Sequence, residues 1–291
     1  MPLKTVVPTP LLKRLVLCYA LVMTDDKLNW HSAFYDAIRL ELEPYLDVLE
    51  FSFEHELNTD PLRIDAVIIK KEKGITIKKN IAEIFDVYNI VEFKSPEDYL
   101  AVNDFHKAMS YTHLYCATSK NVGITDVTLT FVVTRHPREV LKHLEEDCRY
   151  KVRQKYTGIY VVENSLFPIQ IIETKLLSAE DNLWLKDLSN NLGRLELKKI
   201  MNESSTMSKS DHIRAYLDVL LKANIKIAEE MRMNESKAFY EMLERTGVIA
   251  DFEARGESKV LDLWRSGKTY EEAVKIIASE QKTVNTMNKC N

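Results

Sequence analysis

Glycine and proline are scarce, with only 7 Gly and 8 Pro in a chain of 291 residues. The shortage predicts many helices and few tight turns. It also removes a class of functions: there is no Walker A loop and no dinucleotide-binding glycine fingerprint. The Ser-rich stretch 204–210 carries no nucleophile elbow either. Cysteine is equally sparse. Cys18, Cys116, Cys148 and Cys290 are scattered, with no CxxC pair and no Cys/His cluster in the sequence. A zinc site is therefore not expected, nor a disulfide framework in a chain this long, and a reducing cytoplasm fits best. The formal net charge of -4 exerts no global pull on nucleic acid, so an anionic partner would have to meet a local basic patch. Long hydrophobic runs are missing too. The apolar run from Leu15 to Met23 is far too short to span a bilayer. It resembles a signal-peptide core, but "MTDDK" follows it instead of a small-residue cleavage site. It reads as a core element in an N-terminal apolar segment, 1–28, with export or membrane-surface attachment as the alternative.

What is present suits a globular chain with a real core: 45% hydrophobic and 29% charged residues, enough for one large domain or two ordinary ones. Up to about Leu177 strand-like runs alternate with helices; after it nearly everything reads as helix. This gives an α/β domain over 29–177 and a helical C-terminal region over 178–291. The polar "MNESSTMSKSD" (Met201–Asp211) is the best linker candidate.

The first helix is predicted over Asn29–Glu43, with Trp30, Phe34, Ala37 and Ile38 on its apolar stripe and Pro44 as its stop. Glu41 follows Phe34 by two turns and points within about 20° of it, so its carboxylate turns inward and needs a partner, a proton or a metal. Glu43 points to solvent. Strands are predicted in Leu46–Leu57, Leu62–Lys71, Tyr88–Ser95 and Asp126–Pro137, with "GIYVVE" and "FPIQIIETKLL" as two more. Ile75–Phe85 is ambiguous between strand and helix. "SPED" at Ser95–Asp98 reads as a helix start, with Ser95 at the N-cap and Pro96 at N1. A helix then runs through Asn103–Thr118, and a short one covers "PREVLKHLEED".

The chemistry concentrates in "IVEFKSPED", Ile90–Asp98. Val91 and Phe93 face one side of the strand, Glu92 and Lys94 the other. If the Asp65 strand pairs with this one, the Asp65 and Glu92 carboxylates converge on one face, about 5 Å apart. Lys94 stands on the same face, and Glu41 enters from a helix packed behind. Hard oxygen ligands of this kind suit Mg²⁺ or Mn²⁺. The competing reading is a solvated edge strand on which Glu92 and Lys94 form an ordinary surface ion pair.

Ile64-Asp65 followed by Glu92-Phe93-Lys94 resembles the signature of the PD-(D/E)XK nuclease superfamily. Within it, "NIVEFKSP" looks most like bacterial proteins of the recombination-promoting nuclease and transposase-like type. The resemblance covers roughly 29–135. It implies a restriction-endonuclease-like α/β core, a mixed central sheet flanked by helices in the order αβββαβ, and Mg²⁺-dependent hydrolysis of DNA. It also implies metal ligation by Asp65, Glu92 and the Phe93 backbone carbonyl, a catalytic Lys94, and Glu41 as the helix-borne acid. Ile64 stands where the motif has proline, and the long Asp65–Glu92 connection requires an insertion, which Lys71–Asp86 supplies. A catalytically inactive nuclease fold serving DNA binding or protein interaction is the alternative.

Lys70, Lys71, Lys73, Lys78 and Lys79 form the strongest basic cluster and, with Lys107 and Tyr111 on the following helix, are candidates for DNA phosphate contacts. Each also has the plain reading of a solvated surface. His106 and His113 fall two turns apart, too far to share an ion, and read as surface or core histidines. In the tail, "VLDLWRSGKTYEEAVKII" (Val260–Ile277) reads as helix, turn, helix, with Gly267 as a stop and Thr269 and Glu272 as a capping box. A packing hairpin or homodimer contact fits it better than a DNA reader, since its second helix carries Glu271 and Glu272.

Overall fold

The computed structural model describes residues 28–53, 66–207, 210–234 and 236–246, with 262–263, 266–269, 272–273 and 275–276 in the tail. The N-terminal apolar segment and Asp65 lie outside the described residues. The chain divides into two compact units, one spanning Trp30–Asn191 and the other Leu192–Asn291 together with the N-terminal residues up to Asn29. The boundary falls at Asn191, later than the expected 177. The Ser-rich linker is corrected as well, because its first half is helical: Ser204, Ser205 and Thr206 each return their hydroxyl to a carbonyl three or four residues back.

The first unit is α/β, a mixed seven-stranded sheet with helices on its faces. Helix α1 (Trp30–Glu41) leads into strands β1 (Leu49–Phe53), β2 (Ala66–Lys71) and β3 (Tyr88–Lys94). Helix α2 (Val102–Thr118) crosses to β4 (Val127–Val133), and α3 (Arg138–Glu146) leads to the hairpin β5 (Lys151–Tyr156) and β6 (Ile159–Glu163). Strand β7 (Ile169–Glu173) and the one-turn α4 (Leu183–Lys186) complete the unit. The strand order is β1-β2-β3-β4-β7-β6-β5. Strands β3, β4 and β7 run parallel in the centre, and antiparallel strands flank them.

Burial follows from the residue types. All seven residues of β4 (VTLTFVV) are buried, as a strand covered on both faces should be. One face of the sheet presents Ile68, Ile90, Leu129, Phe131 and Ile171 to a core that includes Phe105 and Ala108 of α2 and Val140 and Leu144 of α3. The other face presents Phe93, which stacks on Phe34 of α1 with centroids 4.4 Å apart and planes 1° from parallel. Strand β5 was not expected. It is an edge strand whose charged residues face solvent, so its sequence KVRQKY carries no apolar signal.

The segment between β2 and β3 is loop with a single 3-10 turn at Asn80–Ala82. Buried amides staple it to the sheet. The Asn89 side chain donates to the carbonyls of Ile69 and Asp86 and accepts from the Asp86 N–H and the Thr128 hydroxyl. Gln170 donates to the Ile81 carbonyl and to Thr130. Replacing Asn89 with alanine should therefore cost about 2 kcal/mol, since several buried groups lose their partner at once. Denaturant unfolding of the variant against wild type checks this; an unchanged midpoint would show that water replaces the amide.

In the second unit, α5 (Arg194–Thr206), α6 (Asp211–Ala223), α7 (Ile225–Asn234) and α8 (Ser236–Thr246) bury Leu197, Ile200, Tyr216, Leu217, Leu220, Met231 and Phe239. Ser210 caps α6 by accepting from the Ile213 N–H. In the tail, the Thr269 N–H donates to Glu272 and the Glu272 N–H to Thr269, so the expected capping box is formed. Among the described residues, no helix is long and apolar enough to cross a membrane.

Candidate functional site

Strand β3 ends in the site. Glu92 and Lys94 share the face of Ile90, the face that α2 covers. Where the apolar cover gives out, the side chains turn polar. Glu92 is only 8% exposed. Lys94 Nζ lies 3.4 Å from the Glu92 carboxylate and 3.0 Å from Asp104 of α2. Asp104 has two tasks: its other oxygen accepts the Ala101 N–H at 3.0 Å and so caps α2. The helix start and the lysine are thus fixed by one carboxylate. An edge-strand ion pair in open solvent does not describe this pair, since β3 lies between β2 and β4 and the lysine is half-buried.

Electrostatics follow from that packing. Burial acts to lower the Lys94 pKa, but the Glu92 and Asp104 carboxylates outweigh it and hold the ammonium above the usual lysine range. Lys94 is consequently a fixed cation at neutral pH and not a proton acceptor.

The three groups open into a cavity of about 370 Å³ whose walls include His31, Phe93, Asp98, Tyr99 and Lys107. His31 comes from the first turn of α1, its ring edge-on to Phe93 at 5.7 Å. Tyr99 stands at the rim, 69% exposed. Lys107, one turn beyond Asp104, lies 5.4 Å from the centre of the Tyr111 ring. Asp98 comes from the turn that follows β3. The expected helix start at Ser95 is corrected here. Ser95 donates its hydroxyl to Asp98 at 2.8 Å and its carbonyl accepts the Asp98 N–H, so Ser95–Asp98 is a closed turn, and α2 begins only at Val102.

Glu41 is buried as expected, but its carboxylate has other partners. It accepts the backbone N–H groups of Trp184 and Leu185 at the start of α4, and Lys79 Nζ lies 2.6 Å away. His31, ten residues earlier on α1, is the residue that reaches the cavity, and ten helical residues span about 15 Å. The expectation that Glu41 joins Glu92 and Lys94 is corrected on that ground. Burial raises the Glu41 pKa, against the pull of Lys79 and the two N–H groups.

The basic cluster shrinks in the structure. Lys79 is taken by Glu41 and the Asp181 carbonyl. Lys71 is buried and donates to the Ile75 carbonyl at 2.6 Å, while Lys70 pairs with Glu50 across the β1–β2 ladder. Lys73 and Lys78 are exposed. Tyr111, expected off the apolar face, is a core residue at 8% exposure, so it is corrected from phosphate contact to packing.

No protein-family model, curated protein or solved structure matches this chain. The chemistry of the site therefore rests on its own donors. Among the described residues, no three His, Cys, Asp or Glu side chains stand together as they are to hold a metal ion. Strand β2 opens with Ala66, which pairs with Glu92. Asp65, the second expected carboxylate, is outside the described residues. The oxygen donors that line the cavity are the Glu92, Asp98 and Asp104 carboxylates and the main chain at Phe93, and the carboxylates are engaged by Lys94, Ser95 and the Ala101 N–H. Sequence reading missed His31, Asp104 and Tyr99. Asp104 alone left a trace, as an acid at the third position of α2 once that helix is started at Val102.

Proposed function

We propose that the chain is a Mg²⁺- or Mn²⁺-dependent DNA endonuclease with a restriction-endonuclease-like core of the PD-(D/E)XK type, acting in the cytoplasm. The observation that carries this reading is the Glu92–Lys94–Asp104 array at the exposed end of a central strand, opening into a polar cavity. The order α1-β1-β2-β3-α2-β4 supports it, being the expected αβββαβ succession. Glu92, the Phe93 carbonyl and Asp65 would hold the ion. When bound, such an ion polarises a phosphoryl oxygen and lowers the pKa of a coordinated water.

The chain's own groups would do the rest. Lys94, charged and pinned between two carboxylates, orients the attacking water and stabilises negative charge developing on the phosphorus-bound oxygens. Lys107, one turn beyond Asp104 in the cavity lining, meets a neighbouring phosphate. By analogy with the superfamily, the product carries a 5′-phosphate. A second reading, a catalytically inactive nuclease fold serving DNA binding or protein interaction, is favoured in its protein-interaction form by one observation: Lys71 and Lys79 serve the fold, which leaves an acidic protein fewer cations for a phosphate backbone.

Plasmid nicking with Mg²⁺, with Mn²⁺ and with chelator separates the two. The nuclease reading expects nicking by wild type that chelator abolishes and that Glu92→Gln loses. No nicking by folded wild type in either metal would establish the second reading instead, with DNA retention marking its DNA-binding form and no retention its protein-interaction form.

A further inference from the structure

Residues 134–137 join β4 to α3 at the end of the sheet that also carries Lys94. Strands β3, β4 and β7 run parallel, so their last residues form one row: Lys94 pairs with Val133, and Val133 with Glu173. The three share the face on which Val133 packs with residues of α2 and α3. In open α/β sheets, ligands lie beyond the carboxyl ends of parallel strands, and this is that end.

Glu173 holds the connection in place. Its side chain is only 9% exposed, and its Oε2 lies 2.8 Å from His136 Nδ1 and 3.4 Å from the Tyr160 hydroxyl. Pro137 is buried, and the Arg138 N–H donates to the His136 carbonyl at 3.0 Å, which closes the turn into α3. Arg135 and Arg138, on either side of that turn, are both exposed. Among the described residues, no side chain or carbonyl engages either guanidinium, and Glu139, the acid in the first turn of α3, pairs with neither. Lys175, two residues beyond Glu173, is exposed as well. Other cations of this unit are consumed by the fold: Lys71, Lys79, Lys151, Arg153 and Lys155 each have a carboxylate or carbonyl partner.

The row fixes the distance between this turn and the cavity. From Lys94 to Glu173 is two ladder spacings, about 10 Å. A DNA strand carries one phosphate for each 3.4 Å or so of helix axis, so about three nucleotides cover that span. Guanidinium groups suit the task, since each can take a phosphate through two parallel N–H bonds.

We propose that Arg135 and Arg138 grip the DNA backbone about three nucleotides from the phosphate at Lys94. His136 and Glu173 are the positioning residues that set their turn. The surface takes the part expected of the lysine run after β2, whose Lys71 and Lys79 serve the fold. It rests on the nuclease reading for the phosphate at Lys94, and it uses none of the residues that line the cavity.

The test is binding of the full-length protein to short labelled duplexes of unrelated sequence, in chelator, followed by fluorescence anisotropy over a range of salt. Arg135→Ala/Arg138→Ala should weaken binding to every sequence alike and make the salt dependence shallower by about two contacts. Arg135→Lys/Arg138→Lys keeps the charge and should keep the slope. Lys120→Ala removes an exposed cation near the opposite end of β4 and should leave the slope as in wild type. A wild-type slope in the double alanine variant overturns the proposal, and so does a wild type that binds no duplex. Plasmid nicking with Mg²⁺ reads the nuclease function separately. A wild type that binds through these arginines but does not nick removes the nuclease reading and leaves the surface standing as a DNA contact. A wild type that nicks while the alanine variant keeps its slope does the reverse.

Discussion

Replacing Lys94 with alanine is expected to lower Mg²⁺-dependent nicking by about 10²- to 10³-fold, the loss that follows removal of one preorganised donor aimed at developing charge. The geometry says why the loss should be large and local. Lys94 is held at 3.4 Å and 3.0 Å by two carboxylates on different elements, so its ammonium does not search for its position when substrate arrives. Its raised pKa keeps it charged through the neutral range. The sign of the linkage is that of a cation gaining partners. Stabilisation from Lys94 is present below its unfolded value and fades only as pH climbs through the higher folded value, so the lysine's own titration weakens the array only in alkaline solution. Lys94→Met keeps most of the stem packing and removes only the charge, and it should lose as much activity as Lys94→Ala. Nicking rates, with circular dichroism to show that both variants are folded, decide the matter. Wild-type rates in both variants would make Lys94 a structural ion-pair partner of Glu92 and Asp104 and nothing more.

Much of this site was readable because strand periodicity is simple. Glu92 and Lys94 had to share a face, and the β-branched and aromatic residues around them had to bury the strand. Other features depended on contacts far apart in sequence. Ser95-Pro96 has the composition of a helix start, but Asp98 engages Ser95 in a closed turn, and the cap passes to Asp104. The consequence falls on the cavity, since the delayed start puts Asp104 beside Lys94 and leaves Tyr99 at the rim. His31 carries no motif at all; it reaches the cavity because Phe34, one turn further along α1, stacks on Phe93. Strand β5 was invisible for a different reason. An edge strand with most of its side chains in solvent keeps no alternation to read.

Glu41 shows how far periodicity alone can go. It established that the carboxylate points inward but not what it meets, since its partners lie 38, 143 and 144 residues away in the chain. Those partners make a strong prediction. Glu41→Ala should destabilise the protein by about 3 kcal/mol, because two backbone N–H groups lose their acceptor and the Lys79 ammonium loses its counter-charge. In a chain of this size the melting temperature should fall on the order of 10 °C. Glu41→Gln should cost less, since the amide oxygen still accepts from Trp184 and Leu185, although Lys79 loses its counter-charge there too. The pH response should separate the two forms further. Burial raises the Glu41 pKa, so the folded state binds this proton more tightly than the unfolded chain does. The stability contribution of Glu41 is therefore greatest in acid and declines as pH rises from the unfolded carboxyl value through the folded one, the reverse of an exposed salt-bridged acid. Glu41→Gln removes that decline. It should also retain nicking, because it is His31, and not Glu41, that α1 presents to the cavity. Thermal melts across the acidic range together with nicking assays test both statements, and a folded, stable Glu41→Gln that cannot cut DNA would return Glu41 to the catalytic machinery.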